Sequence, residues 1–287
     1  SRSGSQQGYQ GDTGWMFVDQ TAIILLKKPS IFRLAISDFA LQVNSGREVK
    51  EVISRLSAAY DIQWKLMKVW KFGDPTNRTR LIIIGTRTDV NQQIFLKDIK
   101  YEFPQSICDQ DNAPRIIDTA VLDSEVSERF WIYDDPKRLE WQDPQGGKMH
   151  MIARSGSGMG HSRLPHSVQS WESLANTFGG GGRRPMLTWV MGRDNSVGPT
   201  RLTTPIEAVR WASHSDSLSS WIDSFTTHLP QLERENFALM CVNNGIPQGM
   251  CHAVDKSAMN WLLRIRYRTL EFETAAQQQG PMYNIAD

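Results

Sequence analysis

Gly73-Asp74-Pro75-Thr76-Asn77-Arg78-Thr79-Arg80 runs directly into Leu81-Ile82-Ile83-Ile84-Gly85. A polar turn with two arginines thus feeds a β-branched run of the kind that forms a strand buried on both faces. Upstream, Ile62 to Trp70 alternates apolar and polar residues as a half-buried strand does. Before it, Val49, Val52, Ile53, Leu56 and Tyr60 recur at helical spacing after Gly46, and Ile31-Phe32-Arg33-Leu34-Ala35-Ile36 has strand length. Trp15 to Lys28 is apolar-rich, made of good helix formers and closed by Pro29, which predicts a helix. Strands alternating with helices predict an α/β sheet with helices on its faces.

Downstream of Phe103-Pro104 the character changes. Pro, Asp, Gln, Ser and Gly dominate, and 9 of the 21 glycines fall between Gly146 and Gly182, marking a different module. Patterning returns at Thr204-Pro205-Ile206-Glu207, with Pro at a first helical turn, and in a terminal helix bearing Val254, Met259, Trp261, Leu262 and Ile265. The chain leaves a sheet domain, makes an irregular excursion and comes back.

With 287 residues, 40% hydrophobic and 22% charged, the chain is globular, and a net charge of +1 gives it no overall pull on nucleic acid. The charge is uneven, however. From Lys148 to Arg201 seven basic residues (Lys148, Arg154, Arg163, Arg183, Arg184, Arg193, Arg201) face two acidic ones (Glu172, Asp194). Cys108, Cys241 and Cys251 show neither a CxxC spacing nor a disulfide framework, which fits a reducing compartment. His161 and His166 have no third ligand in the sequence and read as surface histidines, so no metal is expected. The apolar stretch Ala22 to Leu26 is too short to span a bilayer, and a soluble protein without membrane partners is expected. Ser1-Arg2-Ser3-Gly4, running into Gly8, Gly11 and Gly14, reads as the middle of a loop.

Four separated stretches, in order, resemble the motifs of the DNA (cytosine-5) methyltransferases. Ser1-Arg2-Ser3-Gly4 with Gly8, Asp12 and Gly14 is similar to the segment just downstream of the family's Pro-Cys nucleophile loop; in that register the nucleophile lies a few residues before Ser1. Arg78 and Arg80 before a buried strand resemble Gln-x-Arg-x-Arg, with Thr76 where Gln is expected. The segment from Arg201 to Arg210 resembles an Arg-x-Leu-Thr-Pro-x-Glu-x-x-Arg helix that braces the target recognition region, with one residue extra. Asn243-Asn244-Gly245-Ile246-Pro247 is similar to the Gly-Asn-Ala-Val-Pro segment that helps hold the methyl donor, with Asn243 replacing the glycine. Thr177-Phe178, followed by Gly179 to Gly182, resembles the glycine-rich part of the recognition region of the smaller bacterial enzymes.

The resemblance implies methyl transfer from S-adenosylmethionine to C5 of cytosine in double-stranded DNA, with the base flipped from the stack. It implies that Arg78 and Arg80 orient the nucleophile loop and the base carbonyl oxygen, a task suited to a planar cationic fork. Taken alone, the two arginines read better as a solvated strand edge. Asn244 and Gly245 are the donor-binding candidates, or a tight turn. Ser3, Gly180, Gly181, Arg183 and Arg184 are the DNA-contact candidates, since glycine admits close backbone approach and arginine neutralises phosphate or reads guanine. The nucleophilic cysteine and the glycine-rich donor loop are absent. Ala35-Ile36-Ser37 stands where the family has Glu-Asn-Val, and loss of a general acid costs ~10²–10⁴ in rate. Alternation puts residues 35 and 37 on one strand face and Asp38 on the other, so Asp38 is not expected to replace that carboxylate without a bulge.

The expected architecture is the carboxy-terminal half of a Rossmann-like methyltransferase sheet with an inserted, mainly β and loop target recognition domain. Residues 1–103 form the catalytic half, 104–199 the recognition domain and 200–287 the returning helices. This chain alone is expected to be inactive. The alternatives are a catalytically dead DNA-binding homologue and a recognition subunit that works with a missing amino-terminal half or partner. The compartment is the nucleus in a eukaryote and the cytoplasm in a bacterium.

Overall fold

The computed structural model describes residues 14–127, 131–132, 140–142, 149–153, 166–170, 174, 187–191, 197–202, 204–211, 216–231, 233–234, 237 and 248–278. Helix α1 (Gly14–Lys27) leads through Pro29 into strand β1 (Ile31–Ser37), and two 3-10 turns then lead to α2 (Arg47–Leu56). Strand β2 (Tyr60–Lys68) and strand β3 (Thr79–Arg87) come next, joined by a 3-10 turn and the Gly73–Arg78 loop, and a single helical turn α3 (Thr88–Asn91) closes this part.

These strands form a three-stranded sheet in the order β1-β3-β2. β3 pairs antiparallel with both neighbours, so β1 and β2 run parallel to each other with a reversed strand between them. The helix–strand alternation of the sequence carries no information about that reversal. It arises because β2 and β3 are joined by a short connection, which returns the chain antiparallel.

Both faces of the sheet are covered, as the β-branched run of β3 requires. Leu81 and Ile83 face α1 and α2, packing with Ile24, Phe32, Leu34, Val49, Val52 and Leu56. Ile82 and Ile84 face the terminal helix, here α6 (Gln248–Gln278), packing with Met67, Met250, Val254 and Trp261. Burying one such side chain is worth roughly 1.5–3 kcal/mol, so the central strand is the main apolar anchor of this layer. The ring of Phe32 lies over Gly85, where an added Cβ would stand 2.1 Å from it, and meets Tyr60 edge-on at 4.9 Å. Only a residue without a side chain lets that ring close the sheet from the α1–α2 side.

A second sheet of six strands has the order β4-β9-β8-β7-β6-β5. Its strands are β4 (Trp131–Ile132), β5 (Glu140–Gln142), β6 (Met149–Ala153), β7 (His166–Ser170), β8 (Leu187–Met191) and β9 (Val197–Leu202). All pairs are antiparallel except β7 with β8. The boundary expected at residue 199 falls inside β9. Helices α4 (Pro205–Trp211) and α5 (Asp216–Phe225) come after it.

α4 opens with a capping box: Thr204 N–H donates to Glu207 Oε2 at 2.9 Å and Glu207 N–H donates back to Thr204 Oγ1 at 3.3 Å. Pro205 occupies the first helical position, where its missing N–H costs nothing. The other Glu207 oxygen accepts from Val121 N–H at 3.0 Å, and Arg210 donates to the carbonyls of Thr119 and Ala120. The helix thereby braces the 116–121 segment that precedes the six-stranded sheet. Among the described residues no helix is long and apolar enough to cross a membrane.

Candidate functional site

β1 and β2 both end, and β3 begins, at one rim of the three-stranded sheet. In open α/β sheets that carboxyl rim is where ligands bind. Arg80 sits there, opposite Ser37 of β1 and Met67 of β2, on the face shared with Ile82 and Ile84. It is half-buried. Burial lowers its pKa to about 10, and the Asp38 carboxylate partly opposes that shift. Arg80 is therefore still a cation at neutral pH, but a poorly hydrated one. Among the described residues its guanidinium makes no hydrogen bond or salt bridge.

Asp38 reaches this rim because β1 stops at Ser37. Asp38 opens a 3-10 turn capped by Ser37, whose Oγ accepts from Phe39 N–H at 3.3 Å and donates to Asp38 Oδ1 at 3.3 Å. Strand alternation therefore no longer governs residue 38. Ala35 lies two residues back on the face of Ser37, opposite Ile82, and packs into the α6-side core. The strand position at which the resemblance expects a carboxylate is apolar.

The loop from Gly73 to Arg78 is fastened at both ends. Val69 N–H donates to the Arg78 carbonyl at 2.8 Å. Asp74 is fully buried, and its carboxylate accepts from the N–H groups of Gly249 at 3.2 Å and Met250 at 3.1 Å. It caps the first turn of α6, offsetting both the orphan amides and the positive end of the helix dipole. Gly249 permits this approach: a Cβ there would stand 2.5 Å from the Phe72 carbonyl oxygen and 3.0 Å from either Asp74 oxygen. Thr76, buried, donates to the Trp211 carbonyl at 2.5 Å and ties the loop to the end of α4. In sequence Thr76 is a departure from a functional glutamine; in the fold it has a structural partner instead.

The structure brings Arg78, Arg80, Ser37 and Asp38 to one rim and keeps Ala35 in the core behind it. No motif in the sequence singles out Asp74. Its only local signal is a carboxylate in a Gly-Asp-Pro turn, between Lys71 and Arg78. Cys251 is half-buried, and burial pushes its thiol up, with Arg33 opposing, so it is a protonated thiol and no nucleophile at neutral pH. Cys108 is half-buried and unpaired. Cys241, Ser3, Gly180, Gly181, Arg183, Arg184, Asn244 and Gly245 lie outside the described residues. Among the described residues no group of three or more His, Cys, Asp or Glu side chains is placed to hold a metal ion.

The model of the family described as C-5 cytosine-specific DNA methylase matches residues 1–227. The type II methyltransferase M.NlaX of Neisseria lactamica is 29% identical over 163 residues, 56% of this chain and 46% of the relative. M.HhaI of Haemophilus parahaemolyticus is 25% identical over 224 residues, 76% of this chain and 62% of the relative. The chain thus spans about half the length of these relatives. The Dnmt2 methyltransferase of S. pombe superposes with a TM-score of 0.54 at 12% identity, covering 90% of this chain and 75% of that one. A prophage-encoded E. coli protein gives 0.55 at 17%, covering 89% and 76%. At such identities the likeness is one of fold, and the fold is that of a methyltransferase.

Proposed function

We propose, on the premise that this chain belongs to the C-5 cytosine-specific DNA methylase family, that it supplies part of an enzyme transferring methyl from S-adenosylmethionine to C5 of cytosine in duplex DNA. The observation that carries this reading is Arg80: a poorly hydrated cation, without a hydrogen-bonding or ion-pair partner among the described residues, at the carboxyl rim of the sheet. Burying a charge without a partner is costly, and such groups cluster at sites where a ligand completes them. In this reading Arg80 donates to the carbonyl oxygen of the flipped cytosine, and Ser37 and Asp38 line the same rim. Arg78, two residues earlier, borders the nucleophile loop.

S-adenosylmethionine is the methyl source of this family and supplies the transferred carbon when bound. The described residues do not by themselves fit it, because the α6 amides and the space left by Gly249 are occupied by the Asp74 carboxylate. Donor binding in this reading rests on Asn244, Gly245 and a preceding segment or partner subunit. In this reading the thiolate, like the donor site, comes from outside the described residues. Residues 1–103 belong to the catalytic half, 104–199 to target recognition with β9 finishing at Leu202, and 200–287 to the helices that return to the sheet. Ser3, Gly180, Gly181, Arg183 and Arg184 are the DNA-contact candidates of this reading.

The test is transfer of labelled methyl to duplex DNA by the gene's full product, with whatever segment or partner it carries in the cell. Incorporation at cytosine C5 that Arg80→Met abolishes supports the reading. DNA binding without transfer by that full product leaves a binding member of the family and overturns the enzyme.

A further inference from the structure

Lys68 and Lys71 flank one indole where β2 ends. Their ammonium groups stand 5.8 and 5.6 Å from the centroid of the Trp70 ring, and that indole is 6% exposed. Lys68 is exposed and Lys71 half-buried. Among the described residues neither lysine makes a salt bridge. The turn that carries them is fixed from two sides. Val69 is bonded to the Arg78 carbonyl, and the Lys71 carbonyl accepts from Ile107 and Cys108 N–H at 2.9 and 3.2 Å.

The charge of this stretch is one-sided. From Lys65 to Arg80 there are five basic residues (Lys65, Lys68, Lys71, Arg78, Arg80) and one acid, Asp74. Asp74 is fully buried and bonded to α6 amides, so at the surface it offsets little of that charge. Two ammonium groups are thus held over a rigid ring beside the Arg80 rim, with no anion to neutralise them among the described residues. The π-face attracts each ammonium group, and among the described residues no acceptor bonds its N–H donors.

We propose that Lys68 and Lys71 form a phosphate clamp that takes the DNA backbone at the edge of the Arg80 site. The inference rests on the reading that duplex DNA is the substrate. Lysine binds phosphate as a point charge and carries no sequence information. The clamp therefore fixes the register of the duplex and leaves base choice to other residues. Holding both lysines against one ring reduces the freedom that a loose pair would lose on contact.

The experiment measures the affinity of the full chain for a duplex oligonucleotide at salt concentrations between about 50 and 200 mM. Each phosphate contact adds about 0.9 to the slope of log affinity against log salt, so K68Q/K71Q is expected to lose about 1.8 of that slope. K68R/K71R keeps the charge and restores it. K50Q/K256Q, at exposed helical positions on α2 and α6, retains the wild-type slope. Wild-type binding with an unchanged slope in K68Q/K71Q, or an equal loss in K50Q/K256Q, overturns the clamp and leaves the DNA reading standing. Failure of the wild-type chain to bind duplex DNA overturns the DNA reading and the clamp with it.

Discussion

Asp74 and Arg80 stand six residues apart in one loop and strand, both drawn away from water, and the molecule treats them in opposite ways. The Asp74 carboxylate is fully buried and bonded to two amides of α6. Arg80 has lost enough water for its pKa to fall to about 10, and among the described residues only the Asp38 charge offsets this. A buried charge whose bonds are met inside the protein belongs to the architecture. One left short of partners at an open rim is held for something that arrives later. In the proposed reading Asp74 holds this site together and Arg80 acts in it.

The sharpest way to break that division is to remove Arg80. Arg80→Met is expected to lower methyl transfer by ~10²–10³, the cost of losing one preorganised donor. Stability should stay level or rise, because an apolar side chain of similar length replaces a poorly compensated charge. Measuring initial rates and thermal unfolding on the same preparation separates the two. A large fall in Tm with little change in rate would make Arg80 a structural residue like Asp74.

The converse holds for Asp74→Val. It leaves two amide N–H groups and the positive end of a long helix unsatisfied, and is expected to cost about 2–4 kcal/mol in denaturant unfolding. Asp74→Asn keeps an acceptor and should cost less. If Val is tolerated as well as Asn, the carboxylate is not what anchors α6. Thr76→Gln, which installs the residue the family resemblance expects, is predicted to lose about 1–3 kcal/mol by overpacking a buried site. It also breaks the bond to the Trp211 carbonyl. A gain in methyl transfer from that change would return Thr76 to the functional side of the division.

How far the chain alone reveals this arrangement depends on the range of the interactions involved. α1, β1, α2, β2, β3 and the terminal helix lie near where periodicity places them, because each is decided by which side chains a local stretch must bury, but Tyr60, read with the helix, opens β2, and Trp70, read with the strand, falls in the 3-10 turn after it. The reversal of β3 is not legible, since alternation specifies faces and not direction. Asp74 and Thr76 escape for a different reason: their partners lie more than a hundred residues away, at Gly249 and Met250 and at Trp211. No local pattern marks a side chain as the cap of a distant helix. Arg80 is legible as a candidate only through the order of motifs, and its poor hydration comes from packing that a single sequence does not encode. Alternation does not reach Asp38, because the rule ends with β1, one residue before it.

The smallest predicted effect reads the charge of Asp74 directly. Cys251 lies on α6 one residue beyond Met250, and its thiol is pushed up by burial, while the carboxylates of Asp255 and Asp74 push it further and Arg33 opposes. A thiol whose folded pKa is raised contributes stability below its ordinary value, and that contribution is lost as pH rises through the folded value. Alkylation by a small reagent should therefore be slow near about pH 8 and accelerate as the pH climbs above about 9, tracking the thiolate fraction. Replacing Asp74 by Asn removes one negative neighbour and should move the midpoint of this profile to lower pH. The plateau rate at high pH, which reports access, should stay the same if the α6 cap holds. A shifted midpoint with a fixed plateau means that Asp74 is ionised in the folded protein and acts on α6 as a charge. A fixed midpoint with a faster plateau means that it acts only as a hydrogen-bond acceptor whose loss loosens the helix, and the contrast with Arg80 would then be one of packing and not of charge.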